Sequence, residues 1–375
     1  MAGEIIEFVA ELLFDGVYEG ARAGVKKIIS SAKLRESITK AANIIKDGGL
    51  VAFPTETVYG LGADAFNGRA VERIYSAKGR PGDNPLILHV ANTGQLLELA
   101  DSPPPYALAL AKTYWPGPLT LIVKKKYHLP EWLGGHPQNS TATIGIRIPS
   151  HPVALALIEA ASCPIAAPSA NKSGRPSPTS AVHVADDFSG TNEIDMILDG
   201  AISNIGLEST VVDVTGDYPV ILRPGAITQE MIQEVTQLQL RDASVTDTPR
   251  SPGIKYRHYS PKAPMAILKG EPNAIAAHIK NECETKPEQL IGVYVTEATK
   301  TILETYQLQN INYIHLSNDP QIVAQNLFAH LRQFDKLNVF IIFAEAVPDT
   351  NLGTAIMDRM LKAADGNTIN VMMEV

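Results

Sequence analysis

Apolar residues recur at helical spacing through the first part of the chain, and the period shortens only after residue 49. Ile5, Ile6, Val9, Leu12 and Leu13, with glutamates between them, predict one or two amphipathic helices over residues 4–31, broken at Gly16 and Gly20. This extension reads either as a helix packed on the body of the protein or as a contact for a partner or a second copy. Its acidic polar face argues against a membrane surface. A further amphipathic helix over 34–46 stops at Asp47-Gly48-Gly49, a common terminator. Short apolar runs then predict strands at 50–53, 86–90, 119–123, 144–148, 164–167, 196–198, 210–214 and 220–222. Helical stretches fall at 69–77, 93–100, 106–113 and 153–161. Strands and helices mix without regular βαβ alternation, so an α+β domain built on a twisted mixed sheet is expected.

The texture changes near residues 238–264. Asp, Thr, Ser and Pro cluster, and Ser251-Pro252-Gly253-Ile254-Lys255-Tyr256-Arg257-His258-Tyr259-Ser260-Pro261 follows. This is linker composition, yet it carries two tyrosines, a histidine and several cations that a spacer does not need. Beyond it the pattern is regular. Strands at 265–268, 291–295, 313–316 and 339–343 alternate with helices at 272–283, 298–306, 320–334 and 352–364, and a strand at 368–371 ends the chain. That alternation predicts a small parallel-sheet domain. The expected division is an N-terminal helical extension (1–33), a large mixed domain (34–240), a linker or lid (241–263) and a small α/β domain (264–375).

Composition narrows the function. The chain has 375 residues, of which 45% are hydrophobic and 19% charged, ample for a large core. A net charge of -8 excludes a uniformly basic nucleic-acid surface but leaves room for a local cationic cleft. Cys163 and Cys283 are far apart, with no zinc spacing and no disulfide framework, and read as reduced thiols. Glu4, Glu7 and Glu11 stand where a signal peptide would be basic. No apolar run approaches the ~20 residues of a membrane span, so the cytoplasm is the expected location.

P-loop, H-E-x-x-H, G-x-S-x-G and EF-hand motifs are absent. Gly60-Leu61-Gly62-Ala63-Asp64-Ala65 matches G-x-G-x-x-A, but six residues separate it from the preceding strand. Glycines that let the backbone turn tightly explain it better than a dinucleotide site. Pro54-Thr55-Glu56-Thr57-Val58-Tyr59 is too polar for a buried core segment and follows a strand, where α/β proteins place ligand contacts. In Lys78-Gly79-Arg80-Pro81-Gly82-Asp83-Asn84, a lysine and an arginine two apart form a compact cationic point suited to phosphate oxygens, or simply a solvated basic turn. His89 sits on the next strand, where most lone histidines are packed. Thr143 and Arg147 share one face of a strand. An arginine there needs a partner, either a ligand carboxylate or a structural Asp or Glu. Ala167-Pro168-Ser169-Ala170-Asn171, followed by Ser177, supplies small polar groups for a nucleotide. Glu208-Ser209-Thr210 precedes one apolar strand and Arg223-Pro224-Gly225 follows another, making Arg223 a further phosphate or ribose candidate.

Together, Pro54-Thr55-Glu56-Thr57-Val58-Tyr59-Gly60-Leu61, the Lys78-x-Arg80 pair and the Ser169-x-Asn171 pair, in that order, resemble the threonylcarbamoyl-AMP synthase (YrdC-like) family. The segment Lys255-Tyr256-Arg257-His258-Tyr259-Ser260-Pro261 and the small C-terminal domain are similar to its longer, two-domain branch. The similarity runs from about residue 34 to the end.

The resemblance implies an α/β architecture: a YrdC-like domain with a concave cationic cavity, a Rossmann-like second domain and a linker over the cavity. It implies a nucleotidyltransferase that joins L-threonine, bicarbonate or CO2, and ATP into threonylcarbamoyl-adenylate and releases pyrophosphate. A separate tRNA threonylcarbamoyl transferase complex uses the product at the adenosine next to the anticodon. By position, Lys78, Arg80, Ser169 and Asn171 would be catalytic. Threonine would meet Thr57, His89, Arg147, Ala167 and Ser209. ATP would meet Arg80, Asn84, Thr143, Ser169, Ser177, Arg223 and Tyr259. Mg2+ would accompany ATP, held by phosphates, since no carboxylate cage is visible. Tyr259 and its neighbours would form a lid, or a passive tether. A non-catalytic module for tRNA or double-stranded RNA is the alternative reading, disfavoured by the net charge. A carbamoyltransferase would need cysteine-rich zinc segments that this chain lacks.

Overall fold

The computed structural model describes residues 32–240 and 258–372. The expected helices within 4–31 and the linker stretch 241–257, most of the expected lid, lie outside the described residues. The chain forms two units, Met1–Ser173 with Ser177–Lys255, and Gly174–Pro176 with Tyr256–Val375.

In chain order the first unit holds α1 (Ala32–Lys46), β1 (Val51–Phe53), β2 (Gly60–Asp64), α2 (Gly68–Lys78), β3 (Ile87–His89), α3 (Thr93–Leu99), α4 (Pro105–Tyr114), β4 (Leu119–Lys124) and β5 (Thr143–Arg147). There follow α5 (Pro152–Ala161), β6 (Ile165–Ala167), α6 (Ala181–Asp187), β7 (Met196–Ile197), β8 (Thr210–Asp213), β9 (Val220–Arg223) and α7 (Gln229–Thr236). The strands make one mixed sheet in the order β7-β1-β2-β6-β3-β5-β4-β8-β9.

Period-2 alternation splits this sheet into two faces. Leu88, Ile144, Ile146, Leu121 and Val212 point to one side, where they form a core with Val71, Ile74 and Tyr75 of α2, Leu96 and Leu99 of α3, and Leu110 and Ala111 of α4. On the other side, Val51, Phe53, Ile165 and Ala167 are covered by Ile38, Ala41, Ala42 and Ile45 of α1 and by Val153, Ala154, Leu157 and Ile158 of α5. The helical spacing of the α1 set, 38-41-42-45, is what makes it a cover. The rest of that second face, on β3, β5, β4, β8 and β9, carries the polar residues.

Gly60 and Gly62 do not make a turn, as the sequence suggested; they are mid-sheet on β2. A Cβ on Gly62 would lie 2.6 Å from Ile165 Cγ2 and 2.7 Å from Phe53 Cε1. Glycine is needed there because the Phe53 ring and Ile165 fill the space, which is a packing requirement rather than a conformational one. Helices α6 and α7, which the pattern did not predict, begin at Ser180 and Thr228. Each side chain accepts from an N–H three residues on.

The second unit contains β10 (Met265–Lys269), α8 (Pro272–Thr285), β11 (Ile291–Val295), α9 (Glu297–Thr305), β12 (Ile311–His315), α10 (Pro320–Leu337), β13 (Ile341–Glu345), α11 (Leu352–Ala363) and β14 (Thr368–Asn370). Its sheet is parallel throughout, in the order β12-β11-β13-β10-β14. At the start of α9, where such folds receive a phosphate, the Glu345 carboxylate already accepts from Thr296 N (2.9 Å) and Thr299 Oγ1 (2.8 Å). Among the described residues no helix is long and apolar enough to cross a membrane.

Candidate functional site

Strand register places the candidate residues in rows across the polar sheet face. His89 on β3 pairs with Ile165 on β6 and with Arg147 on β5. One step beyond the Leu121–Ile146 pair, Thr120 on β4 stands beside Arg147. Thr120 pairs with Val211 on β8, and Val211 with Arg223 on β9. One row thus runs Ile165, His89, Arg147, Thr120, Val211, Arg223. The two arginines are three strand spacings apart, roughly 14 Å between backbones. The next row holds Ala167, Ile87, Gly145, Ile122 and Asp213, and the third holds Thr143 and Lys124.

Arg147 is the centre of the first row and is 3% exposed. Its Nη1 donates to Thr57 Oγ1 at 2.9 Å and its Nε to Gly117 O at 3.2 Å. Nη2 lies 2.6 Å from Glu56 Oε1. Of the two partners foreseen for this arginine, the structure shows the protein's own glutamate. The Pro54–Tyr59 stretch, expected to be too polar for burial, is buried throughout: Thr55, Glu56 and Thr57 are 2%, 3% and 1% exposed. Its polar groups are used locally. Thr55 Oγ1 donates to Val58 O at 2.6 Å, so the 2.8 Å contact between the two threonine hydroxyls has Thr57 as donor. Ser203 Oγ donates to Thr55 O, and Ile205 N to Glu56 O.

His89 is packed edge-on to Phe53. Burial, and then the Arg147 charge, push its pKa down to about 3, so the ring is neutral. At the far end of the row, Arg223 Nε donates to Ser209 O (3.0 Å) and Nη2 to Ser209 Oγ (3.1 Å). Ser209 Oγ is 2.8 Å from Thr120 Oγ1. Thr120 was missed from sequence; a lone hydroxyl on the apolar run 119–123 was the available signal.

The lysine–arginine motif straddles a helix end. Gly79, at φ 62 and ψ 39, caps α2 in the left-handed region that glycine favours, and it separates the two cations. Lys78, 3% exposed, turns inward. Its Nζ donates to Ser169 O at 2.6 Å and to the Asn171 carbonyl. Ser169 Oγ donates to Asn171 Oδ1 at 2.6 Å, and Ser173 N to Lys78 O. Arg80 turns the other way, with Nε to Asn84 O (3.0 Å) and Nη2 to Asn84 Oδ1 and Pro85 O (both 2.7 Å). Lys78, Ser169 and Asn171 are therefore one hydrogen-bonded group, and Arg80 and Asn84 another. Ser177 is fully buried and donates to Glu208 Oε1 at 2.5 Å, a second carboxylate that the candidate set had left out.

Thr143 stands apart from these groups, on a cavity of about 520 Å³. Pro85, Leu86, Ile87, Ile122, Gly145 and Lys124 share the lining, and the Pro85 carbonyl accepts from Arg80 Nη2. Tyr259 belongs to the second unit, where its ring packs on Phe328 (centroids 5.1 Å apart) and under the Arg359 guanidinium. Among the described residues no cluster of three or more His, Cys, Asp or Glu side chains could hold a metal ion.

Comparison with known proteins follows the same outline. The Sua5/YciO/YrdC family model, described as telomere recombination, matches residues 43–225, and the model described as threonylcarbamoyl-AMP synthase, C-terminal domain, matches residues 227–365. A protein of Bacillus subtilis named threonylcarbamoyl-AMP synthase is 46% identical over 335 residues, covering 88% of this chain and 94% of the relative. One of the same name from Pyrococcus abyssi is 44% identical over 336 residues, covering 88% and 95%. The crystal structure of P. abyssi Sua5 complexed with L-threonine superposes with a TM-score of 0.80 at 42% identity, covering 90% of this chain and 97% of that one.

Proposed function

The chain belongs to the threonylcarbamoyl-AMP synthase family, in its two-domain form, and from that premise we propose how its residues divide the work. The enzyme joins L-threonine, bicarbonate or CO2, and ATP into L-threonylcarbamoyladenylate and releases pyrophosphate. The observation that carries the assignment of parts is the row on the sheet face. A buried, charge-balanced group around Arg147 lies one row from a cavity lined in part by Pro85, whose carbonyl accepts from Arg80.

L-Threonine occupies the Arg147 end, against Thr57, His89 and the Ala167 backbone, with Ser209 one strand pair away. The nucleoside of ATP takes the cavity lined by Ile87, Ile122, Gly145 and Thr143. Its phosphates reach Arg80, Ser169, Ser177 and Arg223. Asn84 holds Arg80 through a side-chain oxygen, and a phosphate oxygen replaces such contacts at small net cost because each is a hydrogen bond to the same fork. Lys78 fastens the Ser169–Asn171 turn rather than facing the phosphates directly.

The threonine amine takes up CO2 to give a carbamate, and a carbamate oxygen attacks the α-phosphorus as pyrophosphate leaves. This needs alignment and charge neutralisation more than a strong base. Neutral His89 leaves Arg147 as the cation of the amino-acid end. Mg2+ enters as part of the ATP substrate and neutralises phosphate charge. The product leaves for a tRNA threonylcarbamoyl transferase complex that modifies the adenosine beside the anticodon. Tyr259, the remaining ATP contact, has its ring packed on Phe328 in the second unit.

Pyrophosphate release from Mg·ATP tests this reading. Release should require both L-threonine and bicarbonate. Folded protein that releases none, or releases it equally without threonine, overturns it.

A further inference from the structure

Buried polar atoms in native proteins are almost all hydrogen-bonded, and those that are not call for an explanation. In the first unit four such atoms crowd one spot. Glu56 Oε1 and Arg147 Nη2 are 2.6 Å apart, yet out of line for a hydrogen bond, and neither atom makes one. Glu56 Oε2 and His89 Nδ1 have no hydrogen-bond partner either. Glu56 is 3% exposed, His89 4% and Arg147 3%, so water cannot freely satisfy them. By contrast, the same arginine's Nη1 and Nε are well bonded. The deficit lies at Nη2, the nitrogen that faces Glu56, with His89 beside Arg147 on the neighbouring strand.

The charges there sum to zero: one carboxylate, one guanidinium and a neutral imidazole. His151, on the α5 side of Glu56, has its pKa lowered, first by burial, with the Gly200 carbonyl and the Glu56 charge pulling the other way. A buried site of zero net charge accepts a ligand of zero net charge most readily, because any net charge left over is costly out of water. The unmet capacity is also two-sided. Glu56 offers acceptors, and Arg147 Nη2 offers a donor. A zwitterion with ammonium and carboxylate on one carbon fits both.

We propose that Glu56, which stands in none of the threonine or ATP positions above, receives the α-ammonium of the amino-acid substrate while Arg147 Nη2 takes its carboxylate. The pair thereby selects free α-amino acids over mono-charged analogues. This rests on the reading of the Arg147 end as the threonine subsite and extends it to a residue and a selection rule. Glu56 is a recognition residue: it fixes the nitrogen that meets CO2 once the ammonium has given up a proton to the solvent. The close approach of Glu56 to Arg147 then holds the two charged groups of the site at a spacing suited to the two charged groups of one α-carbon.

Titration calorimetry of the full chain, without bicarbonate, tests it with L-threonine, 3-hydroxybutanoate (no amino group) and threoninol (no carboxylate). Wild type should prefer threonine to both analogues by about tenfold or more, the lower end of what one charge-assisted hydrogen bond contributes. In Glu56→Gln, threonine should weaken by a similar factor while 3-hydroxybutanoate is unchanged or tighter, so the preference between them collapses. A Gln variant that keeps the wild-type preference, or weakens both ligands equally, overturns the proposal; in the second case Glu56 acts only by holding Arg147. Should that variant fail to fold, wild type alone decides: 3-hydroxybutanoate binding as tightly as threonine overturns it. Threonine-dependent pyrophosphate release by wild type is measured in parallel. Its absence sinks the enzymatic reading itself, whereas release with no discrimination by Glu56 sinks only this inference.

Discussion

Replacing Lys78 by methionine tests whether this lysine fastens a turn. The substitution keeps a long, unbranched side chain and removes the ammonium. Nζ donates to the carbonyls of Ser169 and Asn171 at a site 3% exposed, so both carbonyls lose a charged donor that solvent cannot replace. Hydrogen bonds to charged groups contribute about 1.5–3 kcal/mol each, giving a ceiling of about 3–6 kcal/mol for the two. Removing a buried ammonium also relieves a desolvation penalty of several kcal/mol, which offsets part of that loss. A net destabilisation of about 2 kcal/mol is expected. For a unit of this size that lowers Tm by roughly 4–8 °C. The turn carries Ser169 Oγ and Asn171 Oδ1, so pyrophosphate release should fall about 100-fold or more, the scale of losing positioning at a reacting centre. Thermal unfolding by near-UV circular dichroism and a coupled pyrophosphate assay measure the two effects. Turnover within threefold of wild type would refute the fastening role, and an unchanged Tm would refute the buried contacts from which the magnitude was worked.

Three further substitutions probe other parts of the same unit. Gly62→Ala sets a methyl against Ile165 and Phe53 at 2.6 and 2.7 Å, and overpacking of this kind should cost about 1–3 kcal/mol by chemical denaturation; an unaffected midpoint would contradict the packing role. At Gly145 an added Cβ meets the flexible Ile122 Cδ1 at 3.1 Å, so Gly145→Ala should be tolerated, whereas Gly145→Val fills the cavity and should raise the KM for ATP about tenfold with the KM for threonine little changed; equal effects on both would move the nucleoside elsewhere. His89 titrates near 6.5 when unfolded and about 3 when folded, so the unfolded chain binds the extra proton between those values. Its contribution to stability is therefore complete above about pH 7 and is lost as pH falls toward 3, by up to about 1.4 kcal/mol per pH unit. His89→Asn should flatten the fall in unfolding free energy between pH 7 and 5, and an identical slope in the variant would disprove burial as the cause.

Most of the fold was legible because period and punctuation agree. The second unit alternates strand and helix with Pro at the first turn of α8 and α10, and the pattern named its elements to within a few residues. The first unit was harder where local chemistry and tertiary packing conflict. A run such as Gly60–Asp64 has poor strand propensity, and it becomes β2 because Phe53 and Ile165 need a surface without side chains. The stretch before it is polar, and polarity alone argues for exposure. It is buried instead because Thr55, Thr57 and Arg147 satisfy one another in a relay that ends on a backbone carbonyl. No single-sequence rule reports such a relay, since its members lie 90 positions apart.

The candidate residues were legible as types, while their contacts within the fold were not. A lysine and an arginine two apart suggested one cationic point, but the helix ends between them, and each reaches a different loop. Arg147 demanded a partner, and sequence left ligand and protein carboxylate as alternatives; Glu56 occupies Nη2 without satisfying it. Those alternatives need not compete. A guanidinium carries five N–H groups, and three of its directions here are committed to Thr57, Gly117 and Glu56. A ligand carboxylate can share the Nη2 side only if something compensates the second negative charge brought beside Glu56. The substrate's own ammonium does so, which is why the same site that tolerates threonine should reject an anion of the same shape.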